Sequence, residues 1–222
     1  MKWACIYCGS VYESKFDFCT VCLEEYSIVP LPLNEKVSFE RTNRKGCKGV
    51  KDIREMKLVG EYLKGYEELG RLPKIFTALL YGLPGSGKST LALCMVNRYE
   101  YPVFFASIEE GFSDSFIKKL QTWEIFKDDI IVSDCKTEQE LSSDLEQYKG
   151  INLVVIDSIT ALGSVPVLEG YSHIYISHSN KDGNYKGCSS IAHDVDIVIN
   201  CKSGIGEVKK NRFENLANIN IF

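Results

Sequence analysis

A segment of nine residues, 82–90, constrains this protein more than any other feature of its sequence. It reads GLPGSGKST, which fits the pattern G-x-x-x-x-G-K-[ST] of a phosphate-binding loop without a mismatch. An apolar run, Ile75 to Tyr81, precedes the segment, and apolar residues at helical spacing follow it. Because a strand, this loop and a helix is the context in which the pattern binds phosphate, the sequence predicts a nucleoside triphosphate site.

The residues of the loop have distinct expected roles. Its glycines allow backbone N–H groups to turn towards the phosphates, and the following helix adds the positive end of its dipole. We expect the Lys88 ammonium to reach the β- and γ-phosphates and the Ser89 hydroxyl to bind Mg²⁺, so ATP and Mg²⁺ are the predicted cofactors. The candidate nucleotide-binding residues of the loop are Gly82, Pro84, Gly85, Ser86, Gly87, Lys88, Ser89 and Thr90.

Length and composition exclude several classes of protein. The 222 residues suffice for one sizeable α/β core and a small accessory module. A content of 45% hydrophobic and 25% charged residues is ordinary for a globular protein. The sequence has no apolar run near the roughly 20 residues that span a bilayer, and its start lacks the apolar core of a signal peptide. We therefore expect no membrane partner and a cytoplasmic location, in the host cell if a phage encodes the chain.

The net charge of −4 gives no overall attraction to nucleic acid, so any DNA contact would depend on local basic clusters. One cluster covers residues 41–54 and another covers residues 209–212. A solvated linker would have the same composition as the first cluster, so both interpretations of that segment stay open.

Four of the nine cysteines form two C-x-x-C pairs that are separated by ten residues. Two such pairs at short separation can place four thiolates around one Zn²⁺, and the metal would stabilise a segment too small to fold alone. A redox role is the alternative, but a redox site needs only one pair. The sequence predicts a structural zinc site with the ligands Cys5, Cys8, Cys19 and Cys22.

The chain is expected to contain two domains joined by a linker. A segment with alternating prolines, 28–34, indicates a boundary after the cysteine pairs. We predict a zinc ribbon over residues 1–30, a linker over 31–50 and an ATPase domain over 51–222. Apolar residues at helical spacing predict a helix over residues 51–70.

Strands and helices alternate from residue 75 onwards. Such alternation implies an α/β fold with a mostly parallel sheet and helices on both faces, in which ligands bind at the carboxyl ends of the strands. A capping box at Thr137 opens one of the helices. The predicted strands cover residues 75–81, 102–107, 130–133, 153–157, 174–177 and 195–200, and a further helix covers residues 112–123.

Acidic residues follow two of these strands and suggest the chemistry of the site. Asp157 ends a strand and is expected to hold Mg²⁺ together with Ser89. Glu109 and Glu110 follow another strand, where a carboxylate could deprotonate the attacking water, and we prefer Glu109 for that role. His178 also ends a strand and could contact the γ-phosphate, although a structural role is an equal alternative.

Several further segments resemble one family, the bacterial RadA (Sms) recombination ATPases of the RecA-like branch of P-loop proteins. The segments 105–110 and 154–159 resemble the family's catalytic-glutamate strand and its Walker B strand. Residues 178–196 follow its H-x-x-K-[ED]-G…G…H-x-V-D pattern in register, and residues 210–213 match its K-N-R-F signature. The spacing of the four cysteines is also that of the family.

The resemblance implies a RecA-like P-loop core preceded by a zinc ribbon, and a hexameric ring that acts on single-stranded or branched DNA. It implies a DNA-dependent ATPase of recombination and repair, with helicase or branch-migration activity and a replication or recombination protein as partner. By the same resemblance, Lys210 and Arg212 reach the nucleotide of a neighbouring subunit, and Glu109 is the catalytic residue.

The sequence also departs from the family's pattern. The chain ends at Phe222, so it resembles a short form that lacks the family's Lon-protease-like domain, and Glu214 replaces the glycine of the signature. The interval 158–173 is shorter than the family's DNA-contacting segment. An alternative function is therefore an ATP-binding zinc-ribbon adaptor that recruits a partner with little DNA-stimulated turnover; a small-molecule kinase is a weaker third.

Overall fold

The structure is a computed structural model, and it describes residues 2–5, 10–12, 28–31, 50–54, 60–180 and 191–221. The chain forms two compact units, Met1–Lys57 and Leu58–Phe222. The domain boundaries that the sequence suggests after residues 30 and 50 stay predictions.

The first unit contains a small antiparallel sheet. Its strands are β1 (Lys2–Cys5), β2 (Val11–Tyr12) and β3 (Ile28–Leu31), in the order β2-β1-β3, and a short helix, α1 (Val50–Arg54), belongs to the same unit. Cys5 is the last residue of β1, whereas Cys8, Cys19 and Cys22 lie outside the described residues. The described residues contain no group of three or more potential ligands that could hold a metal ion, so the zinc ribbon stays a prediction.

The second unit opens with a hairpin where the sequence predicts the end of a helix. Strands β4 (Glu61–Tyr62) and β5 (Arg71–Leu72) pair antiparallel and enclose a 3-10 turn, Glu67–Leu69. The predicted helix over 51–70 is therefore wrong for its described second half.

Glycines explain this difference from the prediction. Gly65 and Gly70 have φ angles of 76° and 77°, in the left-handed region that interrupts a helix. A Cβ on Gly60 would lie 2.7 Å from the Leu72 carbonyl oxygen, so only glycine allows this approach of the two strands. The side chains that suggested a helical stripe, such as Tyr66, are buried by the hairpin instead.

An eight-stranded sheet forms the centre of the second unit. Its order is β13-β12-β11-β6-β10-β9-β7-β8. The six strands from β11 to β8 are parallel to their neighbours, whereas β12 and β13 are antiparallel. The fold is thus the mostly parallel α/β fold that the sequence predicts. The strands are β6 (Thr77–Gly82), β7 (Val103–Ser107), β8 (Ile130–Ser133), β9 (Leu153–Asp157), β10 (Ser172–His178), β11 (Ile197–Lys202), β12 (Ile205–Asn211) and β13 (Asn218–Asn220).

Side-chain hydroxyl groups begin several of the helices. Ser113, Thr137 and Ser158 each accept a hydrogen bond from a backbone N–H group in the first turn of α3, α4 and α5 respectively. The capping role of Thr137 is confirmed, but the Glu140 carboxylate accepts from the N–H group of Lys136 instead of completing the box. The helices of this unit are α2 (Lys88–Arg98), α3 (Asp114–Thr122), α4 (Glu138–Glu146), α5 (Ile159–Leu162) and α6 (Ile191–Asp194). In the described part of the chain, every helix is too short or too polar to cross a membrane.

Apolar side chains cover both faces of the sheet. Leu79 and Leu80 are neighbours on β6 that belong to different core clusters, and both are fully buried. This arrangement is expected for parallel strands with helices on either side. Phe116 of α3 is buried as predicted, but Ile117 is 44% exposed, so its predicted inward orientation is wrong.

The order of the strands determines which residues meet. β10 lies between β6 and β9, although it follows both in the chain. The chain returns from β9 to β10 through residues 158–171, which include α5 and suffice for a parallel crossover. As a result, the carboxyl ends of β6, β10, β9 and β7 lie side by side, with Gly82, His178, Asp157 and Ser107 as their last residues.

Candidate nucleotide-binding site

A cavity of about 240 Å³ lies at these carboxyl ends. The phosphate-binding loop and the start of α2 form one wall, and Glu109, Asp157 and His178 contribute to the others. The fold therefore brings these three predicted residues together with the loop. A larger groove of about 660 Å³ lies near the amino ends of the strands, around Tyr62 and Tyr101, and contains none of the predicted site residues.

The loop has the features that a phosphate cradle requires. A Cβ on Gly82 would lie 2.3 Å from the Cys201 carbonyl oxygen, so glycine is needed where β6 enters the loop. Gly87 has a φ angle of 94° and precedes the first residue of α2. The Ser86 hydroxyl is buried and has no hydrogen-bond partner among the described residues. A buried polar atom of this kind fits a phosphate oxygen as its ligand.

Lys88 is held over the loop by a contact within the chain. Its ammonium group donates a hydrogen bond of 2.9 Å to the Leu83 carbonyl oxygen, and the residue is only 6% exposed. Burial lowers the pKa of Lys88, while the nearby charges of Asp157 and Glu109 act in the opposite direction. A phosphate group would give this ammonium a stronger partner than the carbonyl oxygen.

The two predicted Mg²⁺ ligands lie next to each other. Asp157 is buried at the end of β9, and its carboxylate accepts a hydrogen bond from the Ser89 hydroxyl. Burial raises the pKa of Asp157 to about 6, although this hydrogen bond opposes the shift. A carboxylate and a hydroxyl oxygen suit Mg²⁺, which also takes ligands from phosphates and water, so the residues fit the predicted metal.

Glu109 and Glu110 have different surroundings. The Glu109 carboxylate accepts a hydrogen bond of 3.2 Å from the Ser158 hydroxyl and lies 2.9 Å from His178 Nε2. The Glu110 carboxylate contacts Lys119 of α3 and accepts a hydrogen bond of 2.7 Å from the Ser115 hydroxyl. This geometry favours Glu109 as the candidate base.

Lys210 and Arg212 lie away from the cavity. Asn211, between them, pairs with Ile197, and Ile197 pairs with Ala78 at the amino end of β6. Four residues separate Ala78 from Gly82 at the cavity, which is roughly 13 Å along a strand. The structure therefore does not bring either cation to the loop of its own subunit.

Both cations are bound within the chain. The Lys210 ammonium donates hydrogen bonds to the carbonyl oxygens of Ala192, His193 and Val195 around the end of α6. The Arg212 guanidinium forms an ion pair with Asp196, at 2.9 Å, and remains half exposed.

Sequence analysis missed two residues of the site. Ser158 could have been identified, because a serine between an apolar strand and a new turn is a candidate N-cap. Lys119 carries no such signal, since its position at the cavity depends on how α3 packs beside the sheet.

Comparison with known proteins agrees with this geometry. The fold and the site define a P-loop ATPase of RecA-like type. A family model described as AAA domain matches residues 75–207, which is 133 of the 222 residues, and the chain belongs to this AAA domain family.

Two solved structures have a similar fold. The ATPase domain of a helicase aligns with a TM-score of 0.51 and 14% identity over 76% of this chain and 90% of that one. A KaiC-like protein from the archaeon Pyrococcus horikoshii aligns with a TM-score of 0.53 and 18% identity, over 73% and 93% of the two chains. At these identities the likeness concerns the fold alone. No curated protein matches the chain.

Proposed function

We propose that this protein is a RadA-like ATP-dependent recombination and repair ATPase that acts on single-stranded or branched DNA as an oligomeric ring. The observation that carries the proposal is the grouping of Lys88, Asp157 and Glu109 around one cavity at the carboxyl ends of the parallel strands. Parallel α/β sheets bind ligands at this position. These side chains have the charges that phosphoryl transfer from a nucleotide needs.

The residues of the cavity divide the reaction among them. The loop N–H groups and Lys88 bind the phosphates. Ser89 and Asp157 would hold Mg²⁺, which neutralises charge on the phosphate oxygens when it is bound. Glu109 orients a water molecule and accepts its proton, and His178 keeps the carboxylate in place through their contact at 2.9 Å. The leaving group is ADP.

The positions of Lys210 and Arg212 support an oligomer. Neither side chain can reach the loop of its own subunit, yet both belong to the segment that resembles the K-N-R-F signature. In a ring, the cations of one subunit would neutralise charge on the phosphoryl group bound by the next. Arg212 is half exposed, so its guanidinium is accessible to a neighbour.

An adaptor is the second candidate function, and one observation favours it. The crossover between β9 and β10 contains only a single-turn helix, α5, which leaves little surface for a nucleic acid. In that case the protein would bind ATP, oligomerise and recruit a replication or recombination protein through a zinc ribbon, with little DNA-stimulated turnover.

Steady-state ATP hydrolysis tests the two functions. It should be measured at several protein concentrations, with single-stranded DNA, with branched DNA and without DNA. The informative variants are Lys88→Ala and Arg212→Ala, and the matched control is Lys209→Ala, which removes an exposed neighbouring cation that pairs with Glu207. Turnover that rises with DNA and with concentration, and falls only in the two informative variants, supports the DNA-dependent ring. Turnover that depends on Lys88 but not on DNA or Arg212 contradicts the ring and supports the adaptor.

A further inference from the structure

Lys119 lies at the nucleotide cavity although no motif of the sequence indicates it. It belongs to the last part of α3, and its side chain is 29% exposed. Its ammonium group contacts the Glu110 carboxylate, and Ser115 binds the second oxygen of that carboxylate at 2.7 Å. Glu110 therefore holds a lysine side chain at the wall of the cavity.

The charge of Lys119 acts on the centre of the site. It lowers the pKa of Lys88, in addition to the larger effect of burial, and it opposes the rise in the pKa of Asp157 that burial causes. Interactions with both residues place this ammonium near the lysine of the loop and near the predicted Mg²⁺ ligand. An exposed lysine far from the cavity would be screened from both.

The charges around the cavity are unbalanced without Lys119. Among the described residues that line it, three carboxylates, Glu109, Glu110 and Asp157, face the two ammonium groups of Lys88 and Lys119. A triphosphate adds negative charge that a single Mg²⁺ neutralises only in part. Removing Lys119 would leave Lys88 as the one ammonium against three carboxylates in this described set. The loss would weigh most on a ligand with many charges.

We propose that Lys119 is a second cation of the triphosphate site, which exchanges its ion pair with Glu110 for an oxygen of the terminal phosphate when ATP is bound. A partly exposed ion pair is weak, so breaking it costs little. The long, flexible stem of lysine allows the ammonium to move between two partners. This inference rests on the proposed nucleotide site and deepens it, because it names a residue that distinguishes ATP from ADP.

Equilibrium binding of two nucleotides tests this role. The dissociation constants of ADP and of a non-hydrolysable ATP analogue should be measured with Mg²⁺ for the wild type and for Lys119→Met. We expect Lys119→Met to weaken binding of the analogue by roughly tenfold or more, since one charge-assisted hydrogen bond is lost, and to leave ADP binding nearly unchanged. Lys118→Met is the matched control, because Lys118 lies on the same helix but is exposed and does not line the cavity.

A second variant tests the direction of the exchange. Glu110→Gln frees Lys119 and removes one negative charge, so we expect it to tighten binding of the ATP analogue. A purely structural ion pair would make Lys119→Met and Glu110→Gln weaken binding alike, and that result would overturn the inference. Unchanged analogue binding by Lys119→Met, or equal losses for both nucleotides, would also overturn it. A wild-type protein that binds neither nucleotide would instead refute the nucleotide site itself, and this inference with it.

Discussion

The Glu109 carboxylate and the His178 imidazole lie 2.9 Å apart at the ends of two strands, although 69 positions separate them in the chain. Ser158 donates a hydrogen bond to the same oxygen, Oε2, and begins α5 with the same hydroxyl. The backbone N–H group of His178 donates to the Thr160 hydroxyl in that helix. The candidate base is thus connected to two neighbouring segments, β10 and α5, which fixes the direction of its carboxylate.

We predict that Glu109→Gln lowers kcat by roughly 10²–10⁴-fold while nucleotide binding is retained, because the amide cannot accept the proton of water. His178→Ala should lower kcat less and leave KM nearly unchanged, since it only loosens the carboxylate. Steady-state kinetics and nucleotide titration provide these quantities. Glu110→Gln is the control, and a larger loss of kcat there than in Glu109→Gln would contradict the assignment.

Mixing two inactive variants should restore activity if the cations act between subunits. A Lys88→Ala subunit lacks a working loop but keeps Arg212, whereas an Arg212→Ala subunit keeps its loop. We expect each to hydrolyse ATP poorly alone and a mixture to recover part of the wild-type rate, because some sites then combine an intact loop with an intact arginine. Turnover of the mixture is the measurement, and a simple sum of the two separate rates would refute the shared site.

The stability of the protein is expected to fall in mild acid because of His173. Its ring stacks on Tyr175 at 5.3 Å, its Nε2 has no hydrogen-bond partner in the described part of the chain, and burial lowers its pKa to about 4. Above pH 6.5 the ring is neutral in both states and contributes no pH dependence. Below that pH the unfolded chain binds a proton that the folded chain excludes, so stability falls between pH 6.5 and 4, by roughly 3 kcal/mol in total.

Urea unfolding at pH 7 and at pH 4.5 measures this loss. We expect His173→Phe, which keeps an aromatic ring in the stack, to have a smaller difference between the two pH values than the wild type. The matched control is the same substitution of the exposed His193. Equal pH dependence of the two variants would show that His173 is not the cause.

Zinc content tests the prediction for the cysteine pairs. We expect about one Zn²⁺ per chain by elemental analysis, and its loss in Cys8→Ser, because four thiolates complete a tetrahedral site. Removal of the metal by a chelator should unfold the first unit and leave nucleotide binding by the second unit in place. Cys94→Ser is the control outside the pattern. A zinc-free wild-type protein would favour the redox alternative.

Local patterns predicted much of the second unit. Strands β8 and β9 have the predicted bounds, since each is a short apolar run between polar turns. The helix predicted over 51–70 is wrong in its second half because apolar residues three or four apart also suit a tight hairpin whose glycines prevent a helix. Ile117 was misplaced because its spacing from Phe116 says little about which neighbour covers it.

The sequence by itself determined the phosphate-binding loop, the carboxylates that end the strands and the parallel α/β class, because each depends on residues close together in the chain. Only the tertiary structure decided that β10 lies between β6 and β9, that His178 contacts Glu109, and that Lys119 reaches the cavity. It also placed Lys210 and Arg212 at the opposite end of the sheet from the loop. The physical reason is that strand order and helix packing arise from contacts between distant segments, and periodicity within one segment carries no record of them.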